Sequence, residues 1–123
     1  MSECMLATQS DAPVRLAAAS PEIVLGDPKA NAAAAISAIR RFFVSRPTLE
    51  NYLVLPELFL CGATLGSLME HPLMLNACRE ALGAVVEATK HTQLFVSIGL
   101  PYMVDGRVRS CIALLRGGRI YAV

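Results

Sequence analysis

Two short, continuous apolar runs, Tyr52–Leu55 and Leu94–Ile98, set the strongest limit on what this chain can fold into. Runs of this length without polar alternation fit strands buried on both faces, the kind that parallel sheets use. Parallel neighbours need a crossover, and the sequence places helical patterns where crossovers are required. From Lys29 to Arg46 the apolar positions Ala32, Ile36, Ile39 and Phe43 recur at helical spacing, with Ser37, Arg40 and Arg41 mostly off that stripe. Leu73 to Lys90 repeats the pattern, with Leu75, Cys78, Leu82 and Val85 on one stripe and Arg79, Glu80 and Glu87 away from it.

The punctuation agrees with these assignments. Val14–Ala19 reads as a first strand, and Gly26–Asp27–Pro28 as a turn. Asp27 is a candidate N-cap and Pro28 suits the first helical position, while Pro47 is expected to end the helix. Residues 61–72, with Gly62, Gly66 and Pro72, read as a loop. The strand Leu94–Ile98 is expected to stop at Gly99–Leu100–Pro101. Tyr102–Val104, Asp105–Gly106 and Arg107–Leu115 then form a hairpin, because Asp-Gly favours a two-residue type I′ turn. Gly117–Gly118 turns the chain into a further strand, Arg119–Val123. This order predicts an α/β fold whose first three strands are parallel, with right-handed crossovers.

Composition narrows the class. Apolar residues make up 54% of the chain, charged ones 17%, and the formal net charge is +1. That excludes the low-hydropathy, high-charge signature of disorder and gives no reason to expect nucleic acid or an anionic membrane as partner. A mean hydropathy of +0.50 implies apolar surface that something else covers. No run approaches the ~20 apolar residues of a membrane span. Met1 to Pro13 lacks a basic n-region and an apolar h-region, so residues 1–13 read as a flexible tail and residues 14–123 as the folded part. Cys4, Cys61, Cys78 and Cys111 show no metal-ligand spacing, and reduced thiols in the cytoplasm are the default without an export signal. Cys78 and Cys111 fit packed thiols. His71 and His91 lie at opposite ends of one helix, too far apart to share a metal. No phosphate-binding glycine motif occurs.

Glu57 carries the functional argument. A carboxylate at the carboxyl end of a buried strand sits where open α/β sheets place their sites. The flanks Leu55, Leu58, Phe59 and Leu60 are expected to desolvate it and raise its pKa toward the range of a general base. The plainer reading, a partly solvated glutamate in a strand-to-loop turn, stands beside this one.

Val54–Leu55–Pro56–Glu57–Leu58 followed by Cys61–Gly62 resembles the strand-end motif of the carbon–nitrogen hydrolase (nitrilase) superfamily. Gly99–Leu100–Pro101, Asp105–Gly106 and Gly117–Gly118–Arg119–Ile120 follow in the order and spacing of that family. Within it, Gly66–Ser67–Leu68 and the helix Leu73–Lys90 are most similar to the glutaminase domain of glutamine-dependent NAD synthetase. The resemblance implies the N-terminal half of a four-layer αββα sandwich and makes Glu57 the general base of a Glu–Lys–Cys set. The implied activity is hydrolysis of the glutamine amide, with ammonia passed to ATP-dependent NAD synthesis from deamido-NAD. A stand-alone amidase or a non-catalytic interaction module are the alternatives. ATP and Mg are implied only for a separate synthetase domain; no cofactor or metal is expected in this segment. Residues matching the family lysine and cysteine are not found: Lys29 and Lys90 are misplaced, and Cys61 is not at the nucleophile position. The segment alone is therefore expected to be inactive. Ala63 stands where an aromatic residue is usual, and Ser110 where an asparagine is. An incomplete domain of this kind is also expected to self-associate as a homo-oligomer through its open sheet.

Overall fold

The computed structural model describes residues 14–43 and 50–123. These form β1 (Val14–Ala18), α1 (Pro28–Phe43), β2 (Glu50–Val54), α2 (Pro72–Ala88), β3 (Phe95–Val104), β4 (Arg107–Arg116) and β5 (Arg119–Ala122). The strands make one sheet in the order β1-β2-β3-β4-β5. β1, β2 and β3 run parallel, and β3–β4 and β4–β5 are antiparallel. The expected 1–13 tail and the stop at Pro47 lie outside the described residues.

Local chemistry explains the boundaries. Asp27 caps α1: its Oδ1 accepts from the Ala30 N–H at 3.0 Å, and Pro28 occupies the first turn. His71 caps α2 in the same way, its Nδ1 accepting from the Leu73 N–H at 3.2 Å. Within the expected 61–72 loop, Gly66–Glu70 forms a short 3-10 turn. Asp105 and Gly106 both have positive φ (49° and 72°), the geometry of a type I′ hairpin. Gly117 and Gly118 repeat it between β4 and β5.

Three expectations need correction. The first is the end of β3. The strand does not stop at Gly99–Leu100–Pro101 but runs through to Val104, with Pro101 opposite Ser110. β2 flanks β3 only as far as Ser97, so at Pro101 the strand has a single strand neighbour, where a missing N–H is tolerated. The second is burial on both faces. In β2, Asn51 and Leu53 are buried while Val54 is 48% exposed. Both helices pack on one face, so the opposite face stays open, with Leu16 and Ile112 also bare. The third is the α1 stripe, which buries Ala32, Ala35, Ile39 and Phe42 rather than Ile36 and Phe43.

The core joins these α1 residues to Cys78, Leu82 and Val85 of α2 and to Leu53, Val96, Ile98, Leu100 and Leu115 of the sheet. Each fully buried Leu, Ile or Val contributes about 1.5–3 kcal/mol. The arrangement is one sheet with one helical layer, an α/β fold. Among the described residues no helix is long and apolar enough to cross a membrane.

Candidate active site

Glu57 lies three residues beyond β2, at the end of the sheet where the β2–β3 parallel pairing finishes. The turn that carries it is fixed by backbone contacts from three directions. The Leu58 carbonyl accepts from Cys61 N–H (3.2 Å) and Gly62 N–H (2.7 Å), closing the turn on itself. From β3, Leu55 N–H bonds to Ser97 O at 2.9 Å and Leu60 N–H to Gly99 O at 3.1 Å. From α1, the buried Asn31 donates its Nδ2 to Leu60 O at 3.0 Å while also bonding both backbone groups of Val24. Leu58 has φ +49°, a conformation that a bulky side chain rarely adopts and that persists only where its surroundings over-determine it.

Gly99 makes this close packing possible. A Cβ there would lie 2.5 Å from Pro56 O and 2.8 Å from the carbonyl carbon of Glu57, with Leu58 N nearer still. The turn therefore rests backbone against backbone on β3.

The Glu57 side chain points away from the core. Leu55, Leu58, Phe59 and Leu60 are all buried, but Glu57 itself is exposed. The desolvation expected from those flanks does not arise: they fill the core beneath the turn and leave the carboxylate facing out. Its partner is Ser110, whose Oγ donates to Glu57 Oε1 at 2.7 Å across 53 positions of sequence. Ser110 is on β4, opposite Pro101. Sequence reasoning noted Ser110 only as a departure from asparagine. The register could have found the pairing, since a two-residue turn at Asp105–Gly106 places position 110 opposite 101, two residues beyond Gly99 on β3.

Among the described residues, the cysteines and the two lysines do not join Glu57. Cys61 is fully buried, its thiol directed at the carbonyls of Leu58 (3.8 Å) and Gly62 (3.6 Å). Cys78 is equally buried; its hydrogen bond with Cys61 and its desolvation push its thiol well above the ordinary range. Cys111 is partly buried. Lys29 lies in the first turn of α1, and Lys90 pairs with Glu87 at 3.2 Å. The described residues hold no group of three or more His, Cys, Asp or Glu that could bind a metal ion. A cleft of about 360 Å³ lies between the start of α2 and the far part of β3, lined in part by Asn76, Arg79, Leu100 and Tyr102. Glu57 and Ser110 are not among its walls.

What the arrangement offers is a rigidly mounted carboxylate at a strand end, open to a substrate and held by a hydroxyl. An ionised carboxylate so placed can accept a proton from an attacking nucleophile.

No protein-family model matches the sequence, and no curated protein is similar to it. Solved structures do resemble it. A glutamine-dependent NAD(+) synthetase from Cytophaga hutchinsonii superposes with a TM-score of 0.70 at 22% identity, covering 87% of this chain and 18% of that one. The glutamine-dependent NAD+ synthetase of Acinetobacter baumannii gives 0.67 at 16%, covering 84% and 18%. An amidase of the nitrilase superfamily from Nesterenkonia AN1 gives 0.63 at 18%, covering 90% of this chain and 42% of that one. The likeness shows a nitrilase-type fold, and the chain spans under half the length of each of these proteins.

Proposed function

We propose that this chain is the front part of a nitrilase-type amide hydrolase in which Glu57 is the general base. The observation that carries the reading is the mounting of Glu57 at the end of β2, on a turn built against Gly99 and hydrogen-bonded by Ser110. In this reading a cysteine thiol attacks the amide carbonyl and Glu57 takes its proton. A lysine ammonium stabilises the oxyanion of the tetrahedral intermediate, ammonia leaves, and water hydrolyses the thioester. Residues 1–123 hold no match to that lysine and cysteine, so on this reading they are inactive by themselves.

The substrate we assign is glutamine, with ammonia passed to a separate ATP- and Mg-dependent domain that amidates deamido-NAD in the cytoplasm. The likeness to two glutamine-dependent NAD synthetases over 87% and 84% of this chain supports that choice. The amidase likeness, over 90% of the chain, supports a second reading as a stand-alone amidase of another amide.

The test is ammonia release by the full-length gene product, with glutamine and with simple amides. Glu57→Gln should lower kcat by about 10²–10⁴-fold, the usual contribution of a general base. Glutamine turnover coupled to NAD formation supports the synthetase, and turnover of simple amides alone supports the amidase. Full activity of Glu57→Gln, or amide hydrolysis by residues 1–123 alone, would refute the assignment of the site.

A further inference from the structure

At the end of the sheet opposite Glu57, the end of α2 and the β4–β5 turn are fastened together around a polar cleft of about 490 Å³. The fastening is specific. The buried Thr89 accepts the Gly118 N–H on its Oγ1 at 3.0 Å, and a Cβ on Gly118 would come within 3.2 Å of Lys90 Cγ. This contact brings Lys90 and His91 from the end of α2 against Arg116 and Arg119 from the two arms of the turn.

Arg116 and Arg119 are direct cross-strand partners. Like charges directly opposite one another on a sheet are destabilising, and here two further basic side chains are added to the pair. Compensation among the described residues is thin. Glu87 is engaged by Lys90, and Glu50 accepts from the Tyr52 hydroxyl at 3.3 Å. Among the described residues neither arginine forms an ion pair with a carboxylate. The C-terminal dipole of α2 accounts for the Lys90 ammonium, but its influence falls off within the last turn and leaves the arginine pair unexplained. Arg116 is moreover held in place: it donates to Gln93 Oε1 at 3.1 Å and stacks over the Phe95 ring at 4.3 Å. A fixed guanidinium loses little freedom when it binds a planar or tetrahedral oxyanion.

We propose that this cleft binds a phosphate-class anion, held by Arg116 and Arg119 with Lys90 and His91 at its rim. The anion supplies the negative charge that the cross-strand arginine pair lacks. The site lies away from Glu57 and does not depend on the hydrolase reading. Its source is either free inorganic phosphate or the phosphate group of a small metabolite.

The experiment is calorimetric titration of the full-length protein with inorganic phosphate and with pyrophosphate, against sodium chloride at matched ionic strength. Saturable binding of either anion is expected. Pyrophosphate binding more tightly points to a phosphorylated compound, and equal affinity points to free phosphate. Arg119→Gln should weaken binding about tenfold, the loss of one charge-assisted contact. Arg107→Gln, which removes the same charge from the far hairpin, should leave affinity within about twofold. In phosphate-free buffer Arg119→Gln should melt no lower than the parent, because it relieves repulsion. No saturable heat, equal weakening by both variants, or a marked loss of stability in Arg119→Gln without phosphate would each overturn the proposal.

Discussion

Replacing Gly99 with alanine tests how the Glu57 turn is mounted. The added methyl would sit 2.5 Å from Pro56 O and 2.8 Å from the Glu57 carbonyl carbon, against 3.4–4 Å for an ordinary contact. Each opposing atom is backbone, so no rotamer change can absorb the clash. β3 is pinned in turn by β4, and the turn by Leu60 N–H on Gly99 O. Overpacking a rigid site costs about 1–3 kcal/mol. For a domain of this size that lowers Tm by roughly 4–24 °C, at about 4–8 °C per kcal/mol. Gly83→Ala is the control: Gly83 lies in α2 with open space around its Cβ position. Helix propensity predicts that this change stabilises by about 0.5–1 kcal/mol. Thermal unfolding followed by circular dichroism reads both. Below its melting temperature, Gly99→Ala should also lose hydrolase activity in the full-length protein, because the displaced backbone carries Glu57. A Gly99→Ala protein that melts within about 1 °C of the parent and keeps its activity would refute the backbone-on-backbone contact.

Asn31→Ala removes three hydrogen bonds from a buried residue, leaving Val24 and Leu60 backbone groups short of partners; about 2–4 kcal/mol of stability should be lost in urea unfolding. Ser110→Ala removes the hydroxyl that holds Glu57; in the full-length protein kcat should fall about three- to tenfold with little change in KM or Tm, and Ser110→Asn should restore most of it. Cys78 sets a pH dependence. Its folded thiol stays protonated above the ordinary value of 9.0, so the unfolded chain alone releases that proton and stability declines as pH rises past about 9. Urea midpoints measured between about pH 9 and pH 10 should fall, and Cys78→Ala should flatten the decline.

The parts of the fold that were legible in sequence are those set by local chemistry. Asp27 and Pro28 mark a helix start because their side chains act within one turn. Asp105–Gly106 and Gly117–Gly118 mark hairpins because few residues accept positive φ. The misread parts depend on neighbours. Gly99–Leu100–Pro101 has the composition of a breaker, yet β4 keeps the strand extended, and the proline meets no conflict where β2 has ended. Tyr52–Leu55 reads as a strand buried on both faces, but only one helical layer covers it here. At the candidate site, the place of Glu57 just after an apolar strand was readable from the sequence. Its exposure and its bond to Ser110 were not, because both follow from how the turn sits against strands more than forty residues away.

The topology also sets an order of assembly. β3, β4 and β5 are joined by two-residue turns, so their pairings close on the microsecond scale of hairpins. β1–β2 and β2–β3 each require closure of a loop containing a whole helix, and such non-local pairings form late. The turn bearing Glu57 docks on Gly99, so it cannot settle until the hairpin unit is already in place. The Glu57 carboxylate is thus seated in one of the last folding events. Its backbone amides should be among the first to exchange with solvent when the native state opens locally, ahead of those in the β3–β4 ladder.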